Sequence, residues 1–259
     1  VGGRSLIQAC LNGARPPAAH PALPVTPVQL ASDIVRAVEA GADCIHLHPK
    51  DVDGLDTLDA DAVDAVMTAV RFVSPSVPIG VTTGAWALPD PAARVEAIRR
   101  WTVLPDLASV NWHETGSEAV AAAVLEHGIG IEAGLWSLDA VEAWAQSPLR
   151  GDVARVLIEL PEGIGETELV ILAQDMLEAV RAVDPRVPVL LHGEARSAWP
   201  ALRHAVALGL ETRIGLEDTL RLPDGSTTPD NAALVRAARE LADRHTIPVG
   251  LPEEDVPLA

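Results

Sequence analysis

Asp43-Cys44-Ile45-His46-Leu47-His48-Pro49-Lys50-Asp51 reads as a strand running into a turn. Side chains of extended backbone alternate between faces, so Cys44, His46 and His48 share one side and Ile45 and Leu47 the other. Two imidazoles at i and i+2 on one face are how a strand offers two nitrogen ligands to a single metal ion. Histidine pairs also occur as hydrogen-bonded core residues. The weight of the reading therefore falls on what other strands place beside them.

Moving outward from this stretch, β-like segments alternate with amphipathic helical ones along the chain. The expected strands are Ser5–Cys10, Asp43–His48, Pro78–Thr83, Leu107–Asn111, Ile129–Gly134, Arg155–Leu160, Val187–Gly193 and Thr212–Glu217. Between and after them lie expected helices at Pro27–Ala40, Asp59–Phe72, Asp90–Trp101, Ser117–His127, Leu138–Gln146, Thr167–Val183, Ala198–Leu208 and Asp230–His245. Thr26-Pro27 supplies an N-cap followed by a first-turn proline, and Gly41, Gly128 and Gly209 are placed to end helices. Eight βα units in sequence predict a (β/α)8 TIM barrel in a single domain. The competing doubly wound sheet lacks its Gly-x-Gly-x-x-Gly after the first strand. The barrel is assigned to residues 1–247 and a polar, proline-containing tail to 248–259. The long segment Leu11–Pro24 follows the first strand and falls where a barrel carries an active-site loop.

Composition bounds the function classes. The chain has 259 residues, 48% of them hydrophobic and 22% charged, enough for a large core. A net charge of −18 argues against nucleic acid or an anionic membrane as partner. Any anionic substrate needs a local cluster of arginine or lysine against that field. The two cysteines, Cys10 and Cys44, sit in apolar strands and read as buried free thiols of a cytoplasmic protein. Neither a signal peptide nor a membrane span is visible.

With the phase set by His46 and His48, the helix-facing side of the strands is apolar throughout. The inward side holds Gln8, Cys10 and Asn12, then Thr82, Ser109, Asn111, Glu132, Glu159, His192, Arg213 and Glu217. An ordinary barrel interior is filled by branched apolar side chains. Burying these polar groups unpaired costs on the order of kilocalories per mole each. A ligand, metal or water site at the C-terminal end of the strands is therefore expected. Plain structural readings stand beside this one: Gln8, Cys10 and Ser109 as packing residues, Glu159 as an ion-pair partner of Arg155 or Arg213, and His192 as a satisfied core histidine.

His46, His48 and Glu217 form a three-ligand divalent metal set with open positions, for which zinc is the best match. A metal in such a site acts as a Lewis acid on a carbonyl oxygen. Asp218, next to a ligand and within reach of Arg213, is the candidate general base, and Arg213 would keep it ionised and oriented. This combination suits carbon–carbon bond chemistry through a carbanion.

At this point the chain resembles the beta-keto acid cleavage enzymes, typified by 3-keto-5-aminohexanoate cleavage enzyme. The resemblance rests on an ordered set: Leu11-Asn12-Gly13-Ala14, Gly41-Ala42-Asp43-Cys44-Ile45-His46-Leu47-His48, Asp51-Val52-Asp53-Gly54, Thr82-Thr83-Gly84, Ser109-Val110-Asn111 and Arg213-Ile214-Gly215-Leu216-Glu217-Asp218. It implies a zinc-dependent homotetramer that condenses a beta-keto acid with acetyl-CoA to give acetoacetate and a new acyl-CoA. Carried over by position, His46, His48 and Glu217 hold zinc, Asp218 is the base and Arg213 its partner. Arg15, Thr82, Thr83, Gly84, Ser109, Asn111 and Glu132 then fall to the substrate. Lys50, Arg196 and Arg221 are candidates for the CoA phosphates.

Two departures bear on specificity. Arg15 stands where the aminohexanoate enzyme carries a glutamate that reads an ammonium group, so a substrate without positive charge is expected, such as a keto dicarboxylate. Lys50 replaces a common arginine, keeping the charge and losing the planar fork. The rival readings are another metal-dependent aldolase or lyase on the same barrel, and a non-catalytic barrel that binds a small molecule.

Overall fold

The computed structural model describes residues 5–245. The expected tail at 248–259 and the end of the expected domain at 247 lie outside these residues. Eight parallel strands alternate with eight α-helices: β1 (Ile7–Cys10), α1 (Pro27–Glu39), β2 (Cys44–Leu47), α2 (Ala60–Val73), β3 (Ile79–Thr82), α3 (Pro91–Arg99), β4 (Leu107–Asn111) and α4 (Ser117–Glu126). The second half continues with β5 (Gly130–Leu135), α5 (Leu138–Gln146), β6 (Val153–Leu160), α6 (Glu166–Val183), β7 (Val189–Gly193), α7 (Ala198–Ala207), β8 (Thr212–Ile214) and α8 (Asn231–His245). The sheet runs in order β7-β6-β5-β4-β3-β2-β1-β8. Its two ends meet through Leu191 N donating to Glu211 O at 2.9 Å and Glu211 N donating to Val189 O at 3.2 Å. The result is a nearly closed (β/α)8 barrel.

The sequence pattern explains the layers. Ile7, Ala9, Ile45, Leu47, Ile79, Val81, Ala108, Ile131, Val156 and Ile158 are fully buried between strands and helices, in one continuous core. Each helix lays an apolar stripe on that layer; α1 buries Leu30, Ile34 and Ala37 at helical spacing. Thr26 caps α1 in a reciprocal capping box with Gln29, with Pro27 in the first turn. Gly41, Gly128 and Gly209 all take positive φ after their helices.

Two expected boundaries shift. β2 ends at Leu47, so His48 lies just past the strand. Asn12 holds it there, accepting from His48 N at 2.9 Å and donating to His48 O at 2.9 Å. β8 was expected to run to Glu217 and stops at Ile214. The chain turns at Gly215, whose carbonyl accepts from the backbone N–H of both Asp218 and Thr219. A Cβ on residue 215 would lie 1.8 Å from Cys10 O, so only glycine permits this close approach of the last strand to the first. The turn, and not strand alternation, aims Glu217 inward.

The barrel floor is ionic. Glu132 Oε1 accepts from Gln8 Nε2 at 2.9 Å and from Arg155 Nη2 at 2.5 Å. Arg155 Nη1 also pairs with Glu211 Oε2 at 2.7 Å. Arg155 thus takes Glu132 and Glu211 as partners, not the expected Glu159.

Candidate active site

At the C-terminal end of the strands a cavity of about 360 Å³ opens, lined by residues from nearly every βα unit. At its base His46 and His48 stand side by side, ring centroids 5.3 Å apart and planes at 78°. Oε2 of Glu217 lies 4.0 Å from His46 Nε2 and 3.8 Å from His48 Nε2. These separations are too long for hydrogen bonds. The ligand atoms of the three residues all fall within 4.8 Å of one another. Glu217 Oε2 is buried and has no hydrogen-bond partner, a costly arrangement for a carboxylate unless a cation completes it. Donor set and orphaned oxygen together fit one divalent ion.

Both histidines are backed by carboxylates. Asp56 Oδ2 lies 2.7 Å from His48 Nδ1, and its Oδ1 takes Lys50 Nζ at 2.5 Å. A donor at Nδ1 leaves the Nε2 lone pair facing the site. Burial pushes Asp56 up, but the bonds from His48 and Lys50 outweigh it and hold the carboxyl below its ordinary value. Glu132 Oε2 lies 3.8 Å from His46 Nδ1. Burial opposes its ionisation, yet His46 and Arg155 bring its pKa down to about 2.

Behind Glu217 lies the Arg213–Asp218 pair. Arg213 is 5% exposed; its Nη2 sits 2.9 Å from Asp218 Oδ1 and 3.0 Å from Glu217 Oε1. Burial works against the charge on Glu217, but Arg213, His48 and His46 together keep it ionised below its usual range. Asp218 goes the other way. Its side chain is fully enclosed, burial raises it, and the neighbouring Glu217 adds to the rise against the pull of Arg213. Two adjacent carboxyls are thereby driven apart, one held as an anion and one ready to carry a proton.

Placement of the other expected residues is mixed. Arg15, Thr82, Ser109 and Asn111 line the cavity. Thr83 and Gly84 do not: Thr83 Oγ1 donates to Ser109 O at 2.7 Å, and Gly84 N donates to Thr82 Oγ1 at 3.1 Å. Together they shape the turn that carries Trp86. Glu132 was expected at the substrate and instead lies beneath His46, because Arg155 and Gln8 draw it into the floor. Lys50 was expected at CoA phosphates; it is 7% exposed, and its Nζ is spent on Gly13 O at 2.6 Å and on Asp56. Arg196 and Arg221 line a separate groove.

Sequence reasoning missed Asp56, Trp86, Trp136 and Glu194, and placed Glu159 on the inward face with an ion-pair role as the plain alternative. Trp86 stacks on His48 at 6.0 Å and 16°, donates from Nε1 to Asp56 at 2.8 Å, and is 44% exposed at the cavity wall. Trp136 stands beside it. Glu159 faces the cavity with a side chain 12% exposed, 3.5 Å from His192 Nε2. Burial, together with Glu194, Glu217 and Asp218, lifts its pKa to about 8 against the pull of Arg213. Its inward alternation was the available signal; Asp56 and the tryptophans sit in loops where periodicity says nothing.

The model of one family, described as beta-keto acid cleavage enzyme, matches residues 4–255. The chain belongs to the beta-keto acid cleavage enzyme family. Among curated relatives, 3-oxoadipate:acetyl-CoA acetyltransferase of Cupriavidus necator is 26% identical over 249 residues, 89% of this chain and 85% of the relative. The 3-keto-5-aminohexanoate cleavage enzyme of Fusobacterium nucleatum is 22% identical over 96% of this family member and 95% of the relative. Among solved structures, ObcA in its binary complex with oxaloacetate superposes with a TM-score of 0.70 at 17% identity. That match covers 85% of this chain and 63% of ObcA, so the chain spans less than two thirds of that protein's length. Type I 3-dehydroquinate dehydratase from Clostridium difficile shares the fold across 94% of this chain and 93% of its own, with a TM-score of 0.66 and 12% identity.

Proposed function

We propose that this family member condenses a beta-keto acid carrying an anionic tail with acetyl-CoA, yielding acetoacetate and a new acyl-CoA. The observation that carries the reading is the convergence of His46, His48 and Glu217 on one point, with the Arg213–Asp218 pair directly behind. Two imidazoles and a carboxylate suit zinc, which when bound supplies Lewis acidity toward a carbonyl oxygen.

The remaining chemistry belongs to the chain's own residues. Asp218 takes a proton from the carbon between the keto and carboxylate groups. That carbon bonds to the acetyl carbonyl carbon, and CoA thiolate leaves. The thiolate then attacks the original keto carbon, the adjoining carbon–carbon bond breaks, and Asp218 returns its proton to the departing acetoacetate carbanion. Arg213 holds the Asp218 carboxyl in place through both transfers. Thr82, Ser109 and Asn111 line the wall that meets the substrate's oxygens.

Arg15 reaches over the site from the β1–α1 loop, its Nε donating to Leu216 O at 2.5 Å and Glu217 O at 3.1 Å. A guanidinium anchored this way favours a carboxylate tail and repels an ammonium. A beta-keto dicarboxylate is the substrate class we infer, in keeping with the relative named for 3-oxoadipate. By the same family resemblance we read the chain as a cytoplasmic homotetramer, which light scattering in solution tests.

The deciding experiment combines metal analysis of the purified protein with a screen of beta-keto acids against acetyl-CoA, scored by acetoacetate release. Acetyl-CoA-dependent acetoacetate from a keto dicarboxylate, lost in Asp218→Asn with metal content retained, is the expected result. Full turnover in Asp218→Asn would remove the base assignment. Glu159→Gln in parallel tests the other carboxyl facing the cavity. An unchanged tail preference in Arg15→Glu would show that Arg15 does not read the tail.

A further inference from the structure

The proposed reaction passes through two additions to carbonyl carbon, first at the thioester and then at the original keto carbon. Each addition puts negative charge on the attacked oxygen, which is stabilised by a cation or a hydrogen-bond donor within reach. The His46, His48, Glu217 set answers the keto oxygen, and the thioester oxygen still lacks a partner. Most polar groups at the cavity wall are already committed. Arg213 is held by Glu217 and Asp218, and Asn111 Nδ2 donates to Glu114 Oε1 at 3.0 Å. Thr82 and Ser109, paired across β3 and β4, meet the keto acid's own oxygens, and Arg15 its tail. On β6 the cavity meets Leu157 and Glu159, and only the second of these is polar.

Glu159 is held in place from behind. β6 and β7 pair in parallel with Glu159 opposite His192, whose Nε2 lies 3.5 Å from Glu159 Oε2. His192 is buried and does not line the cavity, so it backs one carboxyl oxygen and leaves the other for a ligand. Burial, with Arg213 and His46, keeps the imidazole neutral. Glu159 makes no hydrogen bond among the described residues. Five titratable groups face it: His192 on β7, Arg213 on β8, Glu194 in the turn after β7, and Glu217 and Asp218 in the turn after β8. One guanidinium among four carboxyls does not hold all four as anions, and this one already lies against Glu217 and Asp218. Burial and the acidic neighbours accordingly lift Glu159 to about 8. A neutral carboxyl in a closed cavity is a hydrogen-bond donor.

We infer that Glu159 is a further catalytic residue, a carboxylic acid that donates a hydrogen bond to the thioester carbonyl oxygen while the keto acid's carbanion adds to that carbonyl. The new carbon–carbon bond forms, the carbonyl electron pair moves onto oxygen, and Glu159 stabilises the charge without giving up its proton. The pair then returns, the carbon–sulfur bond breaks, and CoA thiolate leaves. The inference rests on the reading that acetyl-CoA is the co-substrate. Proton removal and bond formation are measured apart on metal-loaded protein. Deuterium exchange into the keto acid without acetyl-CoA, followed by NMR in heavy water, reports Asp218; acetoacetate release reports the whole sequence. Glu159→Leu is expected to go on exchanging deuterium and to lose about 10²–10³-fold in acetoacetate release. Glu159→Gln, whose amide still donates, should retain most of the turnover. Wild-type kcat should decline as pH rises past about 8, and Glu159→Gln should not share that decline. Loss of exchange and turnover alike in Glu159→Leu marks a structural role and overturns the inference. Glu159→Gln as inactive as Glu159→Leu means that Glu159 transfers a proton, which overturns it as well, and so does full turnover in Glu159→Leu. Should Glu159→Leu not fold, infrared difference spectra of wild type against Glu159→Gln decide. The carbonyl band of a protonated carboxyl is expected in the wild type at neutral pH, and its absence overturns the inference. A wild type that exchanges deuterium and releases no acetoacetate overturns the acetyl-CoA reading itself, and the role of Glu159 with it.

Discussion

Glu159 lines the cavity and Asp56 sits behind one of its histidines, and their surroundings drive the two carboxyls in opposite directions. Asp56 is held ionised by His48 and Lys50, whereas burial lifts Glu159 to about 8. A carboxyl whose folded pKa is raised binds a proton in the native state at pH values where the unfolded chain has released it. Its contribution is thus present below the ordinary glutamate range and is lost as pH climbs toward about 8. In metal-free protein, the melting temperature is expected to fall over that interval, by an amount on the order of a few kcal/mol in stability. Glu159→Gln, which mimics the protonated form, should flatten the decline; a pH series of thermal melts checks it. For Asp56→Asn, removal of the charge behind His48 should weaken metal binding about 10- to 100-fold, measured by competition with a chelator. An unchanged metal affinity would mean that Asp56 serves only Lys50 and Trp86.

At the scale of elements, the site depends on how the β1–α1 loop meets the turn after β8. Gly13 has φ +54°, and a Cβ there would lie 2.4 Å from Glu217 Cγ. The loop backbone is therefore packed flat against the side chain that supplies the carboxylate ligand. Gly13→Ala has to move Glu217 or the loop, at a cost of about 1–3 kcal/mol in stability. Chemical denaturation should register that loss together with a fall in metal affinity. A variant that loses stability and keeps full metal affinity would show that the loop yields and the ligand does not. The turn carrying Trp86 is braced similarly: Glu114 accepts from Ala85 N at 3.0 Å and pairs with the buried Arg94.

Across the whole barrel, the polar interior separates into a structural floor and a reactive upper end. In the floor, Arg155 answers two carboxylates and Gln8 a third contact, so its charges are matched. Removing one partner of a buried pair strands the other, typically at about 3–5 kcal/mol. Arg155→Leu is expected to destabilise by that amount in urea unfolding, because Glu132 and Glu211 lose their cation. Higher up, Glu217 Oε2, Asp218 Oδ2 and both His192 ring nitrogens lack hydrogen bonds.

Alternation and cap signals in the sequence determined the eight βα units, the barrel, and the inward aim of His46, Thr82, Ser109, Glu159 and Arg213, because strand periodicity is a local property of the backbone. The His46, His48, Glu217 set was legible as residue types at strand ends. Tertiary structure decided what periodicity does not carry: that a tight turn at Gly215, not a longer strand, delivers Glu217, and that Asp56 and Trp86 arrive from loops to fix His48. It also withdrew Lys50 and Glu132 from the ligand-facing surface by giving each a buried partner of opposite charge. Those outcomes depend on which side chains meet across the barrel, and pairing between residues far apart in the chain leaves no mark in the local pattern.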